Sequence, residues 1–361
     1  MRKVLVYLFL GGLITVASCN KDSEDVTPIV HDETPYDLQF GKLPPPIIAA
    51  DNPLTVQGVK LGKMLFYETK LSSDGTMSCG SCHQQENAFS DTNRFSTGVQ
   101  GLQGGRQAMA IINMAWNTNE FFWDGRAHLL RDQSILPIQD ELEMNETLEN
   151  VVSKLSASQT YKDQFVRAFG SEEITSVKIS LALEQFMNSL VSYQSKFDKY
   201  RAGEATLTAS ELRGMDLYFE EYNPFFPNLS GADCAHCHSP YNFENDRYMN
   251  NGLDEESAIV DTGREKVTMQ ASDRGKMKVT TLRNIEVTGP YMHDGRFNTL
   301  EEVVEHYNSG IKPSSTLEPV LANTIQTGLM LTDQDKIDLV AFLKTLTDES
   351  FLTNPEFSDP N

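Results

Sequence analysis

Two pentapeptides in this 361-residue chain could do chemistry that no single side chain can: Cys79-Gly80-Ser81-Cys82-His83 and Cys234-Ala235-His236-Cys237-His238. Thiols at this spacing can add across the two vinyl groups of a haem, and the adjacent histidine then meets the iron from one face. A zinc or thiol-redox Cys-x-x-Cys beside a chance histidine would look the same in one copy. Two copies, each followed by a matched downstream motif, favour two covalently attached c-type haems with His83 and His238 as proximal ligands. His236 lies inside the short second span, where an outward orientation is favoured over ligation.

The chain has five cysteines, and the two motifs use four of them. The fifth, Cys19, closes a leader. Arg2 and Lys3 form a positive start, Val4 to Val16 an apolar stretch short of a typical spanning helix, and Val16-Ala17-Ser18-Cys19 a small-residue cleavage site resembling a lipobox. The alternative is an ordinary signal peptide with a chance cysteine, and either reading takes the protein out of the cytoplasm. The expectation is a periplasmic or cell-surface protein, held to a membrane only by an acyl group on Cys19. Loss of residues 1–18 would move the formal charge from −21 to −23. That sign disfavours nucleic acid and anionic membrane surfaces and suits a basic partner protein, although acidity serves solubility equally well.

The elements that must position the haems repeat. Gly62-x-x-Leu65-Phe66 precedes the first haem motif and Gly214-x-x-Leu217-Tyr218-Phe219 the second, each with helical apolar spacing. Thr208-Ala209-Ser210-Glu211 is a capping box for the second of these helices. Phe122-Trp123-Asp124-Gly125-Arg126 follows the first haem motif and Met292-His293-Asp294-Gly295-Arg296 the second. Residues 148–169, 176–200, 300–307 and 331–346 also read as helical, the last with Thr332 or Asp333 as its cap, while strand-like alternation is scarce. The expected fold is all-α, two cytochrome c-like haem domains in tandem with long loops. The divisions are a signal peptide at 1–18, an acidic proline-rich tether at 19–52, and haem domains at 53–203 and 204–361.

From about Asp51 to Leu346 the arrangement resembles the bacterial dihaem cytochrome c peroxidases and the related MauG enzymes. The resemblance rests on both haem motifs, Phe122-Trp123-Asp124-Gly125-Arg126-Ala127, Pro137-Ile138 with Glu143-Met144, Thr281-Leu282-Arg283-Asn284, and Tyr291-Met292-His293-Asp294-Gly295-Arg296. It implies hydrogen peroxide as substrate and a peroxidatic first haem. Glu143, twenty residues after Trp123, would be the acid/base, and Gln133, ten after Trp123, its hydrogen-bonding partner. Trp123 would relay electrons between the haems. Composition alone would make Glu143 one more solvated acid in Asp140-Glu141-Leu142-Glu143, and Trp123 an ordinary core residue. The resemblance also implies a calcium ion held through Thr288 and Pro290, with Gln107 standing where the family usually has asparagine. A homodimer is among the assemblies it allows.

Two departures from the peroxidase pattern separate the haems. The histidine that blocks the first iron in many of these peroxidases is missing, because the corresponding stretch reads Ser96-Thr97-Gly98-Val99-Gln100-Gly101. Fourteen residues beyond His293, where the peroxidases place a methionine ligand, stands Tyr307, the MauG pattern, with His306 as the rival ligand. The leading expectation is a peroxidase drawing electrons from a small basic cytochrome c or a cupredoxin. The alternatives are a MauG-like oxidase that modifies a partner protein, and a non-catalytic dihaem electron carrier.

Overall fold

The computed structural model describes Met1 and residues 29–360. The leader, Cys19 and the acidic run after it lie outside the described residues. The fold is largely helical, and its only regular sheet among the described residues is an antiparallel pair, Tyr248–Met249 with Met277–Lys278.

The repeated Gly-x-x-Leu segments form equivalent helices. Val56–Phe66 starts at Thr55, whose hydroxyl accepts from Gly58 N at 3.0 Å. Ala209–Phe219 starts at the expected Thr208/Glu211 capping box. Each packs through its glycine on a later helix. A Cβ on Gly62 would lie 1.9 Å from the Ala182 carbonyl of helix Ser176–Ser189, and one on Gly214 would lie 1.9 Å from the Asp338 carbonyl of helix Asp333–Lys344. Only glycine permits these crossings. Thr332, not Asp333, caps helix Asp333–Lys344.

Two of the expected long helices are broken. Residues 148–169 divide into Leu148–Ser156 and Gln159–Phe169. Residues 176–200 divide into Ser176–Ser189 and Lys196–Arg201, because side chains capture the backbone between them. The Asp348 carboxylate accepts from Tyr193 N and Gln194 N at 2.9 and 2.8 Å, and Asn113 Oδ1 accepts from Ser192 N at 2.7 Å. These bonds replace the helical ones that the periodicity leads one to expect.

Buried apolar residues fall into two clusters, one built on Leu61, Leu65, Phe66, Phe89 and Phe186, the other on Tyr218, Phe243, Phe342 and Leu346. Their limits differ from the divisions expected along the chain. Phe197 already belongs to the second cluster, and Phe351 and Phe357 return to the first, where the Phe351 ring meets that of Phe89 at 5.6 Å. The described part of the expected tether is likewise no tether. Tyr36, Leu38 and Ile48 pack on the first cluster, Trp116 Nε1 donates to the Pro44 carbonyl at 2.8 Å, and the Asn52 amide is held by Glu184 at 2.6 Å and Gln185 at 2.8 Å. Apolar side chains spaced among the prolines and acids give residues 29–52 something to bury, so they form a strap.

Candidate active site

Cys79–Cys82 forms a single helical turn, and His83 N closes it on the Cys79 carbonyl at 2.9 Å. The second motif does the same, with His238 N on the Cys234 carbonyl at 2.9 Å. None of these four cysteines is paired in a disulfide. Burial pushes both histidines toward the neutral form. His83 Nδ1 lies 2.9 Å from the Phe89 carbonyl, and His238 Nδ1 lies 3.0 and 3.1 Å from the carbonyls of Phe243 and Thr280. A carbonyl can only accept, so Nδ1 carries the proton and Nε2 keeps its lone pair for a metal. His236 is turned outward, its side chain 43% exposed.

Each histidine opens into a cavity. The first, about 660 Å³, is lined by Cys82, His83, Gln133, Glu143, Trp123 and Arg126. The second, about 220 Å³, is lined by Cys234, Cys237, His238, His293 and Tyr307, and again by Trp123. Trp123 is thus part of both walls. Its Nε1–H donates to the Gln107 carbonyl at 2.9 Å, its own carbonyl accepts from Lys278 N at 2.8 Å, and its ring stands edge-on to His293 at 6.4 Å.

Glu143 is not a solvated acid. Burial, reinforced by Asp140 and opposed by Arg126, pushes its carboxyl up to about 7. Arg126 is itself stacked on the Phe122 ring, 3.6 Å from its centroid. The loop that lacks a histidine does structural work here. Val99 N donates to the Glu143 carbonyl at 2.9 Å, and Gly98 lies so close that a Cβ would stand 2.2 Å from the Leu142 carbonyl. His83 is the one histidine among the described residues lining this cavity. Glu244 also lines it, and burial beside Asp246 lifts this carboxyl to about 7 as well.

Tyr307 and His306 take different directions. Both sit in a π-helical turn, His306–Gly310, that follows helix Leu300–Glu305. Tyr307 lines the second cavity, and burial pushes its hydroxyl up to about 12. His306 is buried off the cavity, with Nε2 3.1 Å from the Asn251 carbonyl. Gln107, Thr288 and Pro290 share a wall of the first cavity, and the Gln107 amide nitrogen is spent on Ser90 Oγ at 3.1 Å and the Asp91 carbonyl at 3.0 Å, which leaves the amide oxygen as its donor to a cation. No group of three or more His, Cys, Asp or Glu able to hold a metal occurs among the described residues.

Of the Thr281-Leu282-Arg283-Asn284 motif, Arg283 and Asn284 serve the scaffold. Arg283 is 2% exposed and forms a two-pronged bond to Asp198 at 2.8 and 3.0 Å. Sequence reasoning assigned nothing to Asn251 or Lys278, although Asn251 contacts Tyr307 and Lys278 lines both cavities. They approach the site from distant parts of the chain, with no motif to mark them.

The family model of di-haem cytochrome c peroxidase matches residues 56–206. The methylamine utilization protein MauG of Methylophilus methylotrophus is 33% identical over 298 residues, 82% of this chain and 84% of that protein. The cytochrome c551 peroxidase of Nitrosomonas europaea is 34% identical over 316 residues, 87% of this chain and 85% of that protein. Among solved structures, a MauG-like protein associated with microbial copper homeostasis superposes with a TM-score of 0.80 at 34% identity, covering 90% of this chain and 99% of that one. The chain belongs to the dihaem cytochrome c peroxidase and MauG family, and with it to the peroxidase-type oxidoreductases.

Because a methyl group on Gly98 must displace the backbone that carries Glu143, Gly98→Ala should slow the reaction with peroxide. The expected loss is up to about 100-fold, the order that a misplacement near 1 Å can cost. Rapid-mixing absorbance of the holoprotein checks this, and an unchanged rate at intact haem content would mean that the loop does not set the position of Glu143.

Proposed function

We propose that this protein reduces hydrogen peroxide to water at the first haem, using electrons that an external redox protein delivers through the second. The observation that carries this reading is the grouping of His83, Gln133 and a Glu143 carboxyl lifted to about 7 in one cavity. Haem c, attached through Cys79 and Cys82 and through Cys234 and Cys237, supplies iron that accepts the peroxide and exchanges electrons. Ionised Glu143 takes the proton from one peroxide oxygen and returns it to the other, which leaves as water. Gln133 offers its amide to the bound peroxide. Trp123, shared by both cavity walls, would pass electrons between the sites, and Tyr307 would join His238 in holding the second iron. The two haem domains stand in tandem, each served by one of the two apolar clusters.

A MauG-type role, in which the electrons come from a residue of a partner protein that is thereby modified, is the second reading. Tyr307 on the wall of the second cavity and 33% identity to a MauG protein favour it. The same family reading puts a calcium ion against Gln107, Thr288 and Pro290, and metal analysis of the dialysed holoprotein should find one calcium for every two irons. Independently of the family, the leader ending in the lipobox-like Cys19 suggests export and an acyl anchor, so Cys19→Ser should move the protein from the membrane fraction to the soluble one.

The deciding experiment is peroxide consumption by the holoprotein with a reduced basic cytochrome c as donor. Turnover is expected, and two haems inert to stoichiometric peroxide would overturn the reading. Glu143→Gln should slow the peroxide step by about 10²- to 10⁴-fold. Since Glu143 must be ionised to take the proton, the wild-type rate should fall as the pH is lowered through about 7, and Glu143→Gln should lose that dependence.

A further inference from the structure

The side-chain amide of Asn251 occupies a place in the second cavity that the mechanism above leaves unused. Its Nδ2 lies 3.3 Å from the Tyr307 hydroxyl oxygen, to which it donates, and 3.3 Å from Met292 Sδ. The Asn251 carbonyl accepts from His306 Nε2 at 3.1 Å. One residue therefore touches the tyrosine that lines the cavity with His238, the nearby thioether, and the imidazole that could compete for the iron. It holds that imidazole as a neutral donor turned away.

Both partners are fixed from outside. Asn250 Nδ2 donates to Ser314 Oγ and Thr316 Oγ1 at 3.1 and 2.9 Å, its Oδ1 accepts from Gly252 N at 2.9 Å, and Lys312 N donates to the Gly252 carbonyl at 2.8 Å. The π-helical turn is pinned through Asn308, whose carbonyl accepts from Leu329 N at 2.9 Å and whose Oδ1 accepts from Leu331 N at 3.0 Å. Donor and acceptor are thus each held by bonds of their own chain neighbours, as an outer-shell partner of a metal ligand must be.

We propose that Asn251 is a positioning residue for the second haem: its amide orients the Tyr307 oxygen and weakens that oxygen's donation to the iron. The inference rests on the reading of Tyr307 as the axial ligand. A hydrogen bond into a ligating oxygen draws electron density from it, so the ferric state is stabilised less and the reduction potential rises. Asn251 then keeps an oxygen-ligated haem reducible by an external donor.

The test uses the holoprotein and spectroelectrochemical titration of both haems. Asn251→Leu and Asn251→Val, which remove the donor while keeping apolar bulk, should lower the midpoint potential of the second haem, alter its ferric absorption and leave the first haem unmoved. Asn251→Gln, which keeps an amide, should return the potential toward the wild-type value. Tyr307→Phe separates the two readings. If it changes the second haem's spectrum while neither Asn251→Leu nor Asn251→Val moves a midpoint, the role of Asn251 is overturned and the ligand reading stands. If Tyr307→Phe changes nothing, both fall. A shift of both haems together in the Asn251 variants would make the residue merely structural and would also overturn the proposal.

Discussion

The two halves are held in register by a reciprocal grip on two left-handed turns. In the first turn Phe122 and Gly125 have φ of 70° and 74°, and in the second Met292 and Gly295 have φ of 72° and 59°. Each turn is closed by the same kind of bridge, Phe121 with Ala127 and Tyr291 with Phe297. Each glycine is also overlaid by the opposite half. A Cβ on Gly125 would lie 2.2 Å from Arg264 Nη1 and from the Tyr248 hydroxyl, and one on Gly295 would lie 2.9 Å from Arg94 Cγ. Arg264 donates to the carbonyls of Asp124 and Gly125 at 3.1 Å, and Arg94 to that of Asp294 at 2.7 Å. Glycine answers both demands at once, the positive φ and the absent side chain.

This grip makes Trp123 and His293 neighbours. They occupy the same position in the two copies of the turn, and their rings meet where the halves meet. Trp123 consequently borders both cavities rather than one core. The repeat thus brings equivalent residues face to face, and one of them touches both cavities.

Buried charge is handled in the same region by pairing. Arg106 bridges Asp124 and Asp261 at 2.7 Å each, which holds the Asp261 carboxyl far below its usual range, and Arg283 is committed to Asp198. Glu143 and Glu244, both on the wall of the first cavity, are carboxyls that burial lifts instead. They differ in their neighbours. Glu244 has the Asn242 amide directly on it, with Lys278 and Arg283 as opposing charges, whereas Glu143 has only the charge of Arg126 to oppose its rise and shares its wall with Gln133. The freer carboxyl is the one suited to exchanging a proton with a small substrate.

Much of the candidate site was legible in the sequence, because its motifs are written in contiguous residues. A Cys-x-x-Cys-His pentapeptide positions its own thiols and imidazole, a Thr-x-x-Glu box caps its own helix, and a repeated Gly-x-x-Leu announces its own helix crossing. The family resemblance, counted from Trp123 and His293, pointed to Glu143, Gln133 and Tyr307, and all three line the two cavities. Periodicity failed where distant side chains intervened. Asp348 and Asn113 pull 190–195 out of a helix, and the strap at 29–52 is ordered by contacts with residues more than a hundred positions away. Only the tertiary structure turned Tyr307 toward the cavity and His306 from it, lifted Glu143 out of water, and brought Asn251 to the phenol. Orientation, burial and proton affinity depend on what lies across space from a residue, and in this chain those neighbours stand outside the local motif, as Asn251 does for Tyr307 and Arg126 for Glu143.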